Sequence, residues 1–238
     1  MEITYKHHQE AWNNHYSYLT DLIIRKNLKK ICEIGGGANP LLPLSFIEQH
    51  DLEYVVLDVS AEELSKAPEG YSKVMGDITS DNIDHLGKDY DLIFSKMLAE
   101  HVMHGITFHQ NIKQLLKPGG MAFHFFPTLY SLPFTLNKIV PESFSLKLLS
   151  YISKERNNMG NHGKFPAYYS MCYGPTKKQI NILQQLGYRV DAYTGFFGHD
   201  YFKNMGMLHW ISNLTTRLLL KYPIARLTSY SYVVLTKI

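Results

Sequence analysis

Residues 31–40 read Ile-Cys-Glu-Ile-Gly-Gly-Gly-Ala-Asn-Pro, and this stretch decides which fold the sequence predicts. The apolar residues around Glu33 predict a buried strand, and the three glycines that follow predict a tight turn. Glycine adopts positive φ easily and lets a ligand approach the backbone closely. Asn39 suits the N-cap of a helix and Pro40 its first position, so we expect a helix over residues 41–49 whose N-terminus faces a ligand.

The bulk properties restrict the class of protein. A chain of 238 residues suits one α/β domain over residues 1–238. The net charge of +3 is too small to suggest nucleic acid as a partner. Two cysteines, Cys32 and Cys172, form no disulfide framework. No apolar run has the length of an integral membrane segment and no signal peptide is evident, so we expect a cytoplasmic protein.

Apolar segments without alternation, separated by helical segments, predict a mostly parallel sheet with helices on both faces. The predicted strands cover residues 31–34, 53–58, 71–77, 91–95, 121–126, 188–193 and 229–236. The predicted helices cover residues 8–26, 41–49, 61–66, 109–116, 144–152, 174–187 and 205–220. An irregular, aromatic-rich insertion over about residues 128–175 is expected to form a substrate lid.

Glycines and acids follow the carboxyl ends of these strands, where parallel sheets bind ligands. Five features occur in order: Glu33-x-Gly35-x-Gly37, Asp58, Gly76-Asp77-Ile78, Tyr-Asp-Leu-Ile-Phe-Ser at 90–95 and Leu-Leu-Lys-Pro-Gly-Gly at 115–120. Together they resemble a class I S-adenosylmethionine (SAM)-dependent methyltransferase of the small-molecule, methyltransferase type 11-like subgroup. The resemblance spans about residues 30–126 and extends to the final strands. It implies a three-layer Rossmann-like fold of seven strands, with the last one antiparallel.

The resemblance also implies SAM as the cofactor and a role for several residues. Gly35 and Gly37 would let the backbone lie against the methionine and ribose portions, and the following helix start would offer amides to the cofactor carboxylate. Asp58 would accept hydrogen bonds from both ribose hydroxyls. Asp77, with the amide of Ile78, would bind the adenine amino edge, and Glu33 would organise the glycine loop or bind the cofactor amine. The rest of the expected cofactor set is Gly36, Asn39, Val59, Ser60, Gly76, Ser95, Lys96 and Met97.

A nicotinamide dinucleotide site is the alternative that uses the same turn. Its fingerprint is G-x-G-x-x-G with an acid about twenty residues on, and Gly35, Gly37 and Asp58 satisfy much of it. Pro40 stands where the third glycine is needed for close helix–strand packing. The methyltransferase pattern also usually has a third glycine, at Asn39 here, and a helix-capping asparagine is compatible with it. The sequence therefore favours SAM.

Catalytic and substrate residues are expected next to this cofactor site. His101 follows the fourth predicted strand and is the candidate for lining the cofactor or acting as a base, with a packing or surface role as the alternative. We expect no metal, because the histidines at 101 and 104 lack the H-E-x-x-H arrangement. The candidate substrate-binding residues, all aromatic, are Trp12, Tyr16, Tyr130, Tyr168 and Tyr169.

The predicted reaction is methyl transfer to an oxygen or nitrogen of a small-molecule acceptor, with a sugar or secondary metabolite favoured. A lipid or quinone acceptor is the second hypothesis, because residues 205–220 predict an apolar helix. That helix suits a homodimer contact or a membrane surface. A non-catalytic SAM-binding partner protein is the hypothesis from a different class.

Overall fold

A computed structural model describes residues 1–129 and 166–238, so the predicted helix over residues 144–152 lies outside the described residues. Elements are numbered over the described residues. The strands are β1 (Glu2–His7), β2 (Lys30–Ile34), β3 (Glu53–Asp58), β4 (Ser72–Met75), β5 (Tyr90–Lys96), β6 (Leu116–Pro127), β7 (Tyr188–Phe197) and β8 (Tyr230–Lys237). The α-helices are α1 (His8–Lys26), α2 (Leu44–Gln49), α3 (Ala61–Lys66), α4 (Gly105–Leu115), α5 (Lys177–Gln185) and α6 (Gly206–Lys221).

The strands form one sheet in the order β1-β7-β8-β6-β5-β2-β3-β4. All pairings are parallel except those of β8, which runs antiparallel to both β6 and β7. The mostly parallel Rossmann-like arrangement and the antiparallel last strand are thus confirmed. β2 lies between β5 and β3, so chain order reverses there, and ligands bind parallel sheets at such a switch point, beyond the carboxyl ends of the strands.

The prediction of seven strands is wrong, because the described residues form eight. β1 pairs in parallel with β7 at the sheet edge, with Thr4 opposite Thr194 and their hydroxyl oxygens 2.9 Å apart. Most of β1 is exposed or half-buried and it carries no apolar run. The hydrophobic pattern that reveals buried strands is therefore missing from it.

The helix predicted over residues 41–49 starts later, and the capping role predicted for Asn39 and Pro40 is wrong. α2 begins at Leu44 with Pro43 as its N-cap and no side-chain capping bond. Proline disfavours helical geometry in the residue before it, so Pro43 keeps Leu42 out of the helix. The Asn39 amide instead closes a turn onto the Gly36 carbonyl, at 2.9 Å. The N-terminus of α2 is therefore not at the glycine turn.

Several other boundaries agree closely with the sequence pattern. The predicted bounds of α1, β3 and α3 coincide with the observed ones. α4 begins at Gly105, earlier than predicted, and β7 continues to Phe197. The segment Lys-Pro-Gly-Gly at 117–120, expected as a turn before a strand, is part of β6, where the pairing with β5 shifts register.

Helices cover both faces of the sheet, as alternate residues of β6 show. Phe123 and Phe125 lie against His15 of α1, with ring centroids 5.4 and 5.3 Å away. His124, on the opposite face, packs against Phe108 of α4 at 5.2 Å. Burying each such aromatic side chain contributes about 1.5–3 kcal/mol. Within the described part of the chain, no helix has the length and apolarity needed to cross a membrane.

Candidate active site

The glycine turn after β2 has room only for glycine at two positions. Gly35 has φ +79° and Gly37 has φ +44°, a region that L-residues rarely adopt. A Cβ on Gly35 would collide with the Leu98 side chain, and one on Gly37 would lie 3.1 Å from Oδ2 of Asp58. The Gly35 amide donates to the Leu57 carbonyl of β3 at 2.7 Å. The Asp58 carboxylate therefore lies directly against the backbone of the turn.

Glu33 bonds to the loop that follows this turn. Its carboxylate is buried and accepts hydrogen bonds from the Leu41 amide, at 2.9 Å, and from the Tyr54 hydroxyl. Burial raises the pKa of Glu33 to about 7, although both hydrogen bonds and Lys96 act in the opposite direction. A Cβ on Gly36 would lie 3.0 Å from Glu33 Cδ, so the carboxyl group also packs under the turn.

Asp58 closes β3 and is held in place by its own turn. Its Oδ1 accepts a hydrogen bond from the Ser60 amide at 2.9 Å, which leaves Oδ2 on the side of Gly37. Ser60 in turn caps α3, because its hydroxyl accepts from the Glu63 amide at 3.1 Å. Val59, between them, is 62% exposed at the same edge. The β3 end thus presents an oriented carboxylate to the glycine turn.

The end of β4 forms a second turn at the same edge. The Gly76 amide donates to the Asp58 carbonyl at 2.9 Å. Asp77 is exposed, and its Oδ1 accepts from both the amide and the hydroxyl of Thr79, each at 2.8 Å. Asn111 of α4 donates to the carbonyl of the buried Ile78 at 2.8 Å. Asp77 therefore stabilises its own turn and lies just beyond the carboxyl end of β4, beside the end of β3.

The side chains of Ser95, Lys96 and Met97, all predicted to line the cofactor at the end of β5, have different surroundings. Ser95 is fully buried, with its hydroxyl 2.8 Å from Nδ1 of His124, so its side chain belongs to the core. The ammonium of Lys96 lies 6.0 Å from the centre of the Trp12 ring. Met97 has φ +53°, and its amide donates to the Phe125 carbonyl at 2.7 Å. Lys96 and Met97 thus leave the strand at the sheet edge.

His101 lies in a short 3₁₀ helix, Ala99–His101, directly after this strand end. Its Nδ1 donates to the Pro166 carbonyl at 3.0 Å, so in the neutral form of the ring the lone pair lies on Nε2. Nε2 is 3.7 Å from Oε1 of Glu100. The histidine is therefore oriented by its contact with the backbone of the segment before Tyr168.

Glu100 is a site residue that the sequence analysis missed. It is 4% exposed, and its Oε2 has no hydrogen-bond partner among the described residues. Burial raises the pKa of the carboxyl group to about 8. The backbone carbonyl of Glu100 accepts from the amides of Tyr168 and Tyr169, at 2.7 and 3.0 Å. This pairing brings both predicted substrate tyrosines to the end of β5.

The other predicted substrate residues lie in two different directions. Trp12 contacts Phe125 and Tyr230 edge to face, with centroids 5.0 and 5.6 Å away. Tyr16, one turn further along α1, is directed at Phe46 of α2, at 6.5 Å. Tyr130 lies outside the described residues. Trp12 therefore packs against residues of β6 and β8, whereas Tyr16 faces α2.

A polar pair extends this side of the edge beyond Trp12. Nε2 of His8 is 3.2 Å from Oδ1 of Asp200, and His8 is 5% exposed. Burial raises the pKa of Tyr230, with smaller contributions from Tyr201, Asp200 and Tyr169. We call the set Trp12, Tyr169, Tyr230, His8 and Asp200 the acceptor side, and the strand ends of β2, β3 and β4 the cofactor side.

The residues that the sequence analysis missed differ in how visible they were. Tyr54 could have been found from the pairing of β2 with β3. Glu33 pairs with Val56, and Tyr54 lies two positions before Val56 on the same face of the sheet, beside the Glu33 carboxylate. Glu100, Leu98 and Asn111 carry no such signal, because their roles depend on where separate segments meet in the fold.

The chain is similar to known proteins in both sequence and fold. The sequence matches the family model described as a methyltransferase domain over residues 5–193. A search of curated proteins found no match. Among solved structures, a SAM-dependent methyltransferase of Archaeoglobus fulgidus is similar, with 13% identity, TM-score 0.53 and coverage of 96% of this chain and 97% of that one.

Two further solved structures have the same fold. One is an S-adenosylmethionine-dependent methyltransferase of Clostridium acetobutylicum, with 11% identity, TM-score 0.54 and coverage of 93% of this chain and 90% of the other. The second is phosphoethanolamine N-methyltransferase 2 of Haemonchus contortus in complex with SAM, with 13% identity, TM-score 0.52 and coverage of 92% and 52%.

The fold and the sequence match together define the class of protein as a class I SAM-dependent methyltransferase. The chain belongs to the methyltransferase domain family whose model it matches over residues 5–193. Its cofactor is S-adenosylmethionine, which supplies an electrophilic methyl group on a sulfonium when it is bound.

Proposed function

We propose that the protein transfers the methyl group of SAM to an oxygen or nitrogen of a small molecule bound at the acceptor side. The observation that carries this proposal is the contact of Lys96 with Trp12. Lys96 leaves the strand next to the glycine turn, and Trp12 belongs to the aromatic wall formed with Tyr230. An aromatic wall with a few polar groups is typical of small-molecule sites.

The residues of the cofactor side fit SAM. Gly35 and Gly37 give the turn the positive-φ backbone that we propose lies against the methionine and ribose portions, and Asp58 directs Oδ2 to the same turn. In our proposal Asp58 accepts hydrogen bonds from the ribose hydroxyls, each contributing about 1.5–3 kcal/mol as a bond to a charged group. Asp77 and the Ile78 amide bind the adenine edge, and Glu33 holds the loop in shape.

The acceptor side has to orient a nucleophile toward the methyl group. Methyl transfer depends mainly on holding the reacting atoms in line in a site that excludes water. We propose that Trp12 and Tyr169 hold the acceptor and that His8, paired with Asp200, hydrogen-bonds to its polar group. His101 is our candidate base, because its Nε2 carries the lone pair.

A hydroxylated acceptor, such as a sugar or secondary metabolite, is our first choice of substrate class. A nitrogen acceptor stays in the proposal, since one similar structure is named a phosphoethanolamine N-methyltransferase. A lipid or quinone acceptor is the second candidate, favoured by the exposed apolar side chains of α6.

Turnover of SAM labelled in its methyl group tests this proposal. The full chain is incubated with separate panels of sugars, phenolic metabolites, small amines and quinols, and labelled product is separated from SAM. We expect transfer to one panel only, and lower transfer in Trp12→Ala. SAM binding without transfer to any panel would instead favour a non-catalytic SAM-binding protein.

A further inference from the structure

Helix α6 directs its apolar side chains away from the protein. Met207, Ile211, Leu214 and Leu218 are 75%, 44%, 43% and 53% exposed. Their spacing of four, three and four residues places them on one face of the helix. Among the residues of α6, only Thr216 is buried. We call the four exposed side chains the outer face of α6.

The opposite face, which packs on the sheet, carries Thr216 together with the half-buried Leu219 and Leu220. The Thr216 hydroxyl donates to the Ser212 carbonyl at 2.8 Å, so its hydrogen bond is made within the helix. A Cβ on Gly198 would lie 3.0 Å from Cγ2 of Thr216, so this side chain packs against the Gly198 backbone. A surface helix normally buries its apolar residues. The four exposed side chains of α6 therefore indicate that its outer face has a further partner.

The charges around the outer face indicate what kind of partner it is. Residues 201–238 contain no aspartate or glutamate, and the basic residues within or close in sequence to α6 are Lys203, Arg217, Lys221 and Arg226. The exposed acid Asp200 precedes this segment and is paired with His8. Trp210 and Tyr222 are each 64% exposed. Apolar side chains flanked by Trp, Tyr and basic residues are typical of helices that lie in the plane of a membrane interface.

We propose that the outer face of α6 docks on a membrane surface that contains anionic lipids. Anionic headgroups complement the basic residues, whereas the apolar side chains enter the boundary between headgroups and acyl chains. Symmetric pairing of two copies through α6 would bring the same positive charges together with no acid from residues 201–238 to offset them. This inference goes beyond the proposed function.

Docking would place α6 between the membrane and the acceptor side. Gly198 directly follows β7, and a Cβ on it would lie 2.8 Å from Nδ1 of His8 and 3.0 Å from Cγ2 of Thr216. The buried face of α6 therefore borders the side on which we place the acceptor, whereas the outer face points away from it.

Flotation with lipid vesicles tests the membrane proposal on the full chain. Vesicles of phosphatidylcholine alone are compared with vesicles that also contain phosphatidylglycerol. We expect flotation only with phosphatidylglycerol, and at least about tenfold weaker partitioning for Ile211→Glu/Leu214→Glu and for Arg217→Glu/Lys221→Glu. Ile24→Glu, which places a glutamate at an exposed apolar position of α1, should float as the wild type does.

Three outcomes would overturn the proposal. One is the absence of flotation with either vesicle, and another is flotation that the α6 variants leave unchanged. The third is a dimer in light scattering that Ile211→Glu/Leu214→Glu converts to monomer, since the outer face would then be a contact between copies. SAM affinity, measured for every variant, reports folding and separates this result from a failure of the proposed function.

Discussion

The cofactor side and the acceptor side of the sheet edge are built from contacts of different reach along the chain. On the cofactor side, Asp58 and Asp77 bond to residues two positions away, and the longest of the side-chain bonds described there, Asn111 to the Ile78 carbonyl, spans 33 positions. On the acceptor side, Trp12 of the first helix meets Tyr230 of the last strand. Substitutions on the first side should therefore act locally, whereas those on the second should depend on the whole fold.

The largest effect that we expect is on the cofactor side, from Gly35→Val. A β-branched residue at φ +79° is strained, and its Cβ would collide with Leu98. We expect a loss of about 2–4 kcal/mol in the free energy of unfolding and no detectable SAM binding. Calorimetric titration and chemical denaturation measure the two effects.

Gly119 provides the matched control for this substitution. It has φ +74°, and a Cβ there would meet nothing within 4 Å. Gly119→Val should therefore keep SAM affinity and lose stability through backbone strain alone. If Gly35→Val bound SAM as the wild type does, the glycine turn would not be the cofactor site.

Asp58→Ala should have the next largest effect. Removing two hydrogen bonds to a charged acceptor should weaken SAM binding by at least about a hundredfold, with little change in stability because the carboxylate bonds only to its own turn among the described residues. Titration of SAM into the variant checks this. Asp21→Ala, at an exposed position of α1, is the control. An unchanged SAM affinity in Asp58→Ala would contradict the assignment.

Trp12→Ala tests the acceptor side. We expect the KM for the acceptor to rise about three- to tenfold while SAM affinity stays the same, because in our proposal the indole contacts the acceptor and not the cofactor. Steady-state kinetics with the acceptor identified by labelled SAM measure this. Tyr16→Ala, at the next turn of the same helix, should raise the KM less, since Tyr16 faces Phe46. An equal rise of the KM in both variants would contradict the proposal that Trp12, and not Tyr16, contacts the acceptor.

The last effect that we expect is a change of pH dependence in Glu100→Gln, which concerns stability alone. The folded pKa of about 8 is above the ordinary 4.5, so the folded carboxyl keeps a proton that the unfolded one has lost. The free energy of unfolding should fall by up to about 1.4 kcal/mol per pH unit between about pH 4.5 and 8 through this group. Glutamine cannot ionise, so the variant should lose this contribution.

Denaturation at several pH values checks the prediction for Glu100. The stability of Glu100→Gln relative to the wild type should rise between pH 5 and 8, and exposed Glu48→Gln serves as the control. A relative stability that stays constant with pH would mean that the carboxyl group is not desolvated as the structure has it.

The cofactor side could be predicted largely from the sequence because its contacts are local. Asp58 was identified from its place at the end of an apolar run, and β3 has the predicted bounds. The prediction failed at Asn39. Asparagine is a favourable capping residue, but Pro43 keeps the residue before it out of the helix, so α2 begins only at Leu44. The glycines and Glu33 lie in the turn after β2 and at the end of that strand, and their roles toward the cofactor stay predictions.

The acceptor side could be predicted only as a set of aromatic residues. The sequence around His8 gives no indication of its contact with Asp200. The sequence around Glu100 likewise gives no indication that the amides of Tyr168 and Tyr169 donate to its carbonyl. β1 was missed for the same reason, since it becomes a strand by pairing with β7 and not by its own apolar pattern. Such pairings depend on the topology of the whole sheet.

A crystal structure with S-adenosylhomocysteine bound tests most directly whether the two sides have the roles proposed here. We predict the ribose hydroxyls on Asp58, the adenine edge beside Asp77 and Ile78, and the sulfur directed toward the acceptor side at Trp12. A ligand bound away from the glycine turn, or with its ribose on a residue other than Asp58, would contradict this account.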